Sequence, residues 1–221
     1  MVYLLNHKPD KAQATLRATR TADLSNELRI PRLLLEARAL SDIGRHDFAL
    51  DVIAGIEGRE SLRLRSDIYW AARRWQMAAE HIELLHGDRW KSFEPLTDAE
   101  RFDILRAGVA YSLAEDKIGN ARLRDKYAAK MVEGPDRNAF NVVTGGLGQS
   151  SAEFREVARI VGSGDTLSGF LRDLKARYPE MHAVVPDAPG QPANGAPATP
   201  KTDPKSTGAM PWSVPRKVSA R

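Results

Sequence analysis

Residues Leu33–Gly55 read LLLEARALSDIGRHDFALDVIAG, and Leu62–Leu85 read LRLRSDIYWAARRWQMAAEHIELL. The two blocks share one layout. In the first, Leu33, Ala37 and Leu40 precede a break at Gly44, and Ala49, Ile53 and Ile56 follow it. In the second, Leu62, Ser66 and Tyr69 precede a break at Arg73-Arg74, and Ala78, Ile82 and Leu85 follow. Apolar residues three and four apart lie on one helical face. Each block therefore predicts a helix, a tight turn and a second helix. Small residues recur where two helices must approach closely, and large ones where a groove must be filled. The chain is expected to be all-α, built from antiparallel helix pairs.

The same rules extend outward. Asn6–Asp10 opens a helix, with Pro9 acceptable in its first turn, and Ala12 and Leu16 share one face. This helix reads as the second half of a unit whose first half is missing, so its apolar face is expected to need a neighbour. A helix over Pro31–Ile43 reaches back towards Ser25. Further helices are predicted at 47–57, 61–72 and 75–86, with Gly58 and Gly87 as breakers. Thr97 and Glu100 form a capping box, opening a helix to about Glu115. Ile118–Met131 follows, with the repeat register slipping by about one residue. Ser150 and Glu153 predict another capping box, and Asp165 caps a last helix that Pro179 stops. The expected divisions are repeats over 1–131, capping helices over 132–182 and a Pro/Ala-rich basic tail over 183–221. Eight of the 13 prolines fall in that tail, which is read as disordered. Within it, Met210–Lys217 reads as either a short linear motif or part of a solubilising tail.

Composition narrows the function. The chain has no cysteine, which excludes disulfides, thiolate metal sites and cysteine nucleophiles. Its formal charge is +4, but residues 183–221 hold five basic against two acidic residues, so the helical body is nearly neutral. That is not a nucleic-acid footprint, and no nucleic-acid partner is expected. No apolar run approaches a membrane span. No export signal is visible, which implies a cytoplasmic protein if the chain is complete. His81 and His86 are five apart and do not share a metal-binding face, and they are read as surface or boundary residues. The Gly145–Gly148 loop lacks the Lys-Ser/Thr of a phosphate loop. Glu115-Asp116 reads as a solvated charge cluster. No catalytic constellation or cofactor site emerges, so neither an enzyme nor a bound cofactor is expected.

On Leu33–Leu85 the chain resembles tetratricopeptide repeats. The family's small residue of the first helix falls on Ala37 and Ser66, and the large residue three later on Leu40 and Tyr69. The alanine of the second helix falls on Ala49 and Ala78, with Ile53 and Ile82 after it, and Trp75 takes an aromatic position. Ala12/Leu16 would be an orphan second helix, and Gly108/Tyr111 with Ala121 a third pair. The matching alanines are 37, 29 and 43 residues apart, against roughly 34 for the family, and the unit-closing proline is absent. The texture around Leu64–Trp70 is also similar to the C-terminal region of large alphaproteobacterial repeat proteins.

The resemblance implies a right-handed stack of antiparallel helix pairs, an α-solenoid, used for binding. It places groove positions on Arg63, Asp67 and Trp70 in the second unit and on Leu34, Arg38, Ser41 and Asp42 in the first. Arg38, Arg63, Asp67 and Trp70 are therefore the candidate partner-binding residues, suited to a peptide or partner helix. The plain alternative pairs Arg63 with Asp67 on the surface and packs Trp70 on the next repeat. The competing function is a structural cap of a longer repeat protein, with self-association through the first helix.

Overall fold

Three turns determine how the helices lie against one another. Each ends a helix with a residue of positive φ: Gly44 at 88°, Arg73 at 58° and Glu115 at 56°. In each, the next amide donates to a carbonyl five residues back: Arg45 to Leu40, Arg74 to Tyr69 and Asp116 to Tyr111. This is the Schellman arrangement, which satisfies the orphan carbonyls of a helix end and reverses the chain. Two of the three turns use a non-glycine residue at the left-handed position.

The computed structural model describes residues 1–20, 24–132, 135–146 and 151–179, without the side chains of Asn26 and Pro135. All regular structure among them is helical. The helices are α1 (Val2–Leu5), α2 (Pro9–Ala18), α3 (Asn26–Asp42), α4 (His46–Val52), α5 (Arg59–Ala71) and α6 (Trp75–His86). A 3-10 segment, Gly87–Lys91, precedes α7 (Asp98–Leu113), α8 (Lys117–Tyr127), α9 (Pro135–Thr144), α10 (Ala152–Gly162) and α11 (Thr166–Arg177). From α1 to α8 each helix packs on a neighbour in sequence, and the three turns make hairpins of α3–α4, α5–α6 and α7–α8. No helix among the described residues is long and apolar enough to cross a membrane. The tail over 183–221, with its Met210–Lys217 motif, lies outside the described residues.

The turns also fix the register. Ala37, Ser66 and Gly108 each lie three residues before the turn's acceptor carbonyl. Ala37 is fully buried and Ser66 nearly so. A Cβ on Gly108 would stand 2.7 Å from Val143 Cγ2, so the small residue is required by close packing. Nine residues after the acceptors come Ala49, Ala78 and Asn120. The expected third alanine, Ala121, is exposed, and Asn120 is buried in its place, donating from Nδ2 to the Val143 carbonyl at 2.8 Å. The register therefore holds at that position. One turn later it shifts, with Leu123 buried one residue ahead of the slot that Ile53 and Ile82 fill.

Helix ends explain the remaining differences. α4 stops at Val52 instead of 57, and Arg65 Nη2 donates to the Ile53, Ala54 and Ile56 carbonyls of the turn that follows, at 2.5, 3.0 and 3.4 Å. α3 runs through Pro31, which removes only the bond to the Glu27 carbonyl. The cap of α10 is Ser151, whose hydroxyl accepts from Phe154 N, and Ser150 is outside the described residues. Asp116 is a cap as well, accepting from Gly119 N at 2.8 Å, and not merely a solvated charge.

The capping box at α7 forms as expected. Thr97 N donates to Glu100 Oε2 at 2.8 Å, and Glu100 N donates to Thr97 Oγ1 at 3.2 Å. Burial pushes the Glu100 carboxyl up, but hydrogen bonds from Arg89 and Thr97 outweigh it and hold the group at about 2. Because this value lies below the ordinary one, the stabilisation is complete above the ordinary carboxylate range and is lost as pH falls towards 2. Thermal melts from pH 5 down to pH 2 should show wild type losing its advantage over Glu100→Gln across that window. A constant gap between the two would refute the assignment.

The described residues fall in one unit with two apolar clusters. One is built by α6, α7, α8, α9 and α10, around Ile104, Tyr111, Tyr127 and Phe140. The other is built by α1 to α5, around Leu34, Ile53, Leu64 and Ile68. Leu167, Phe170, Leu171 and Leu174 of α11 belong to this second cluster. The 132–182 segment, expected to cap the stack, thus contributes to both clusters: α10 packs on α7 and α9, and α11 packs on α5.

Candidate functional site: a charged layer beneath the last helix

Arg38 on α3, and Arg63, Asp67 and Trp70 on α5, all enter one polar layer where α3, α5, α6, α7 and α11 meet. Asp67 is its centre. Arg106 Nη1 donates to Asp67 Oδ1 at 2.5 Å, and Arg38 Nη1 donates to Oδ2 at 3.4 Å. Arg38 also donates from Nε to Asp42 at 3.0 Å and from Nη1 to Thr166 Oγ1 at 3.4 Å. The Arg106 guanidinium lies over the Trp70 ring, 4.6 Å from its centroid, and Trp75 meets Trp70 edge-on at 5.2 Å. A small cavity of about 130 Å³ opens between Arg38, Asp67, Trp70, Arg106, Gly164 and Thr166.

Arg63 forms the second half of the layer. Its Nη2 donates to Asp103 Oδ2 at 3.2 Å, and its Nε lies 3.0 Å from Asp173 on α11, an ionic contact without hydrogen-bond alignment. His86 Nε2 also reaches Asp103 Oδ2, at 3.0 Å. The side chains of Asp67, Asp103 and Arg106 are 7%, 5% and 5% exposed. Groups this buried are tolerated only when paired.

Burial pushes the Asp103 carboxyl up, but the His86 hydrogen bond and the Arg63 charge outweigh it and hold it below the usual range. At Asp42 burial wins over Arg38, and the carboxyl is raised. Burial lowers the Arg63 guanidinium, yet Asp103 and Asp173 raise it overall.

The expected Arg63–Asp67 surface pair does not form. Arg63 turns to Asp103 and Asp173, and Asp67 to Arg38 and Arg106, because partners from neighbouring helices lie within reach inside the layer. His86 is buried, not a boundary residue, and is an internal partner of Asp103. His81 stays half-buried, 4.9 Å from the Tyr69 ring centroid, and burial lowers its pKa.

The sequence reading missed Asp103, Arg106 and Asp173. α7 is buried along its whole middle, from Asp103 to Tyr111. Charged residues inside such a run must find partners. The signal was the charge at Asp103 and Arg106, three apart, within the apolar run Phe102, Leu105 and Val109. In chemical terms the layer is a set of guanidinium–carboxylate pairs beside an aromatic face, satisfied within the chain. Comparison with protein-family models, curated proteins and solved structures finds no match.

Proposed function

We propose that this chain is a non-enzymatic protein-interaction scaffold, a right-handed stack of antiparallel helix pairs of the tetratricopeptide kind whose groove holds an amphipathic helix. One observation carries this reading. An amphipathic helix of the chain itself packs on α5 and contacts Arg38 and Arg63, two of the four candidate residues. α11 seats Leu167, Phe170, Leu171 and Leu174 in the apolar cluster, while Thr166 and Asp173 engage Arg38 and Arg63 at the rim. Apolar anchors at helical spacing flanked by polar contacts are the chemistry of helix-in-groove recognition. A partner would present the same pattern and compete with α11.

The test supplies that helix from outside. A peptide of residues 163–179 is titrated into the full chain carrying Phe170→Asp and Leu174→Asp. The variant is expected to remain largely helical by circular dichroism, to bind the peptide and to regain thermal stability. Wild type should not bind it. A variant that stays helical but ignores the peptide defeats the reading. So does one that loses its helicity wholesale, since α11 would then be a core strut rather than a groove ligand.

A second reading, a structural end piece of a longer helical stack, is favoured by α1. Leu4 is buried, but Val2, Tyr3 and Leu5 are 69%, 41% and 49% exposed, an apolar surface suited to a neighbouring helix.

A further inference from the structure

Phe93 is fully exposed, at 106% of its reference area. Its loop is nonetheless held firmly. Arg89 donates from Nη1 to the Glu94 carbonyl at 3.1 Å and from Nη2 to the Pro95 carbonyl at 2.6 Å, with its Nε on Glu100 at 2.7 Å. Lys130 Nζ donates to the Ser92 carbonyl, and to the Glu94 carbonyl at 3.0 Å. Glu94 N donates to Ser92 Oγ at 3.2 Å. An aromatic side chain is thus offered to water from a pre-ordered backbone, so little entropy remains to be lost when it is buried.

A receptor of matching character lies beside it. Trp90, three residues earlier, joins Ile118 and Ala121 of α8 in lining a mostly apolar surface hollow of about 580 Å³. Ile118 is 80% exposed. Charged residues edge the hollow: Lys117 at its N-terminal end, and Arg122, Asp125 and Lys126 further along α8. Arg122 and Lys126 bind Glu83 at 2.6 and 2.9 Å. The Lys117 ammonium has no ion pair among the described residues. On the projecting side, exposed Glu94 follows Phe93 directly.

The projection is tied near the C-terminal end of α8 by Lys130, while the hollow runs along the helix from Lys117 to Lys126, with Lys117 and Ile118 at its far, N-terminal end. Two copies related by a two-fold axis, with their α8 helices antiparallel, bring each projection to the other's hollow. Such a contact is self-complementary and closed. We infer that a second copy of this chain docks here, each Phe93 entering the partner's Trp90–Ile118–Ala121 hollow and each Glu94 meeting the partner's Lys117. Charge complementarity selects the occupant, because the anion beside the projection faces the unpaired cation beside the hollow. This inference does not depend on the groove reading.

Sedimentation equilibrium of the full chain at about 50 µM tests it, a concentration that populates a weak specific dimer. Wild type is expected to be dimeric and Phe93→Asp monomeric, with an unchanged circular dichroism spectrum. Glu94→Lys and Lys117→Glu should each weaken the dimer roughly tenfold or more, and the combined swap should recover most of the loss. Monomeric wild type overturns the proposal. So does a dimer that survives Phe93→Asp, or one broken instead by Val2→Asp with Leu5→Asp, which would assign self-association to α1.

Discussion

Asp67→Ala is expected to lower stability by about 3–5 kcal/mol, the usual cost of stranding a buried charge by removing its partner. Arg106 is the stranded group, since its side chain is 5% exposed and Asp67 pairs with it at 2.5 Å. Arg38 loses one of its two carboxylates, and the Arg106 guanidinium over Trp70 loses the anion that balances it. Urea denaturation with circular dichroism gives the number. Replacing the pair together, Asp67→Leu with Arg106→Met, should recover a large share of the loss, because desolvation of both charges is removed along with their attraction. A single variant within about 1 kcal/mol of wild type would mean that water reaches Arg106 and that the layer is a surface feature.

Phe170→Ala should have a similar effect, about 3–5 kcal/mol, as for other fully buried aromatics cut to alanine. Phe170 is 0% exposed and sits among side chains of the N-terminal cluster. The loss should be unevenly distributed. Hydrogen exchange should accelerate first in α3 and α5, which share that cluster, and least in α7 and α9, which belong to the other. Equal acceleration everywhere would show that the two clusters unfold as one. The opposite extreme, a change under about 1 kcal/mol, would mean that the cluster closes without α11.

The all-helical character and most helix positions were legible from the spacing of apolar residues. The three turns were legible too, although only Gly44 announced the left-handed position, and Arg73 and Glu115 adopt it without the residue that favours it. Capping at Thr97 and Asp165 could be read because a short polar side chain preceded an apolar run. What could not be read was α11's destination. Its pattern at Leu167, Phe170, Leu171 and Leu174 says that one face is buried, and nothing in a periodicity says against what. The same limit hid the charged layer. Arg63 and Asp67 are one turn apart, so local spacing favours their pairing, whereas their partners at Asp103, Asp173, Arg38 and Arg106 are distant in sequence. Local rules rank local partners, and tertiary packing supplied better ones.

The bond from Arg38 to Thr166 joins residues 128 apart in sequence. Helices α1–α5, made before the rest of this stretch, therefore share a core with the last described one. At about 5–20 residues per second, synthesis of the stretch between the end of α5 and the end of α11 takes roughly 5–20 s. Through that interval Leu34, Leu64 and Ile68 lack their final covering, and the nascent chain presents an open apolar surface. The half made first is the half finished last, so its exposure to chaperones and to neighbouring chains is set by translation speed over residues 72–177 rather than by its own helical propensity.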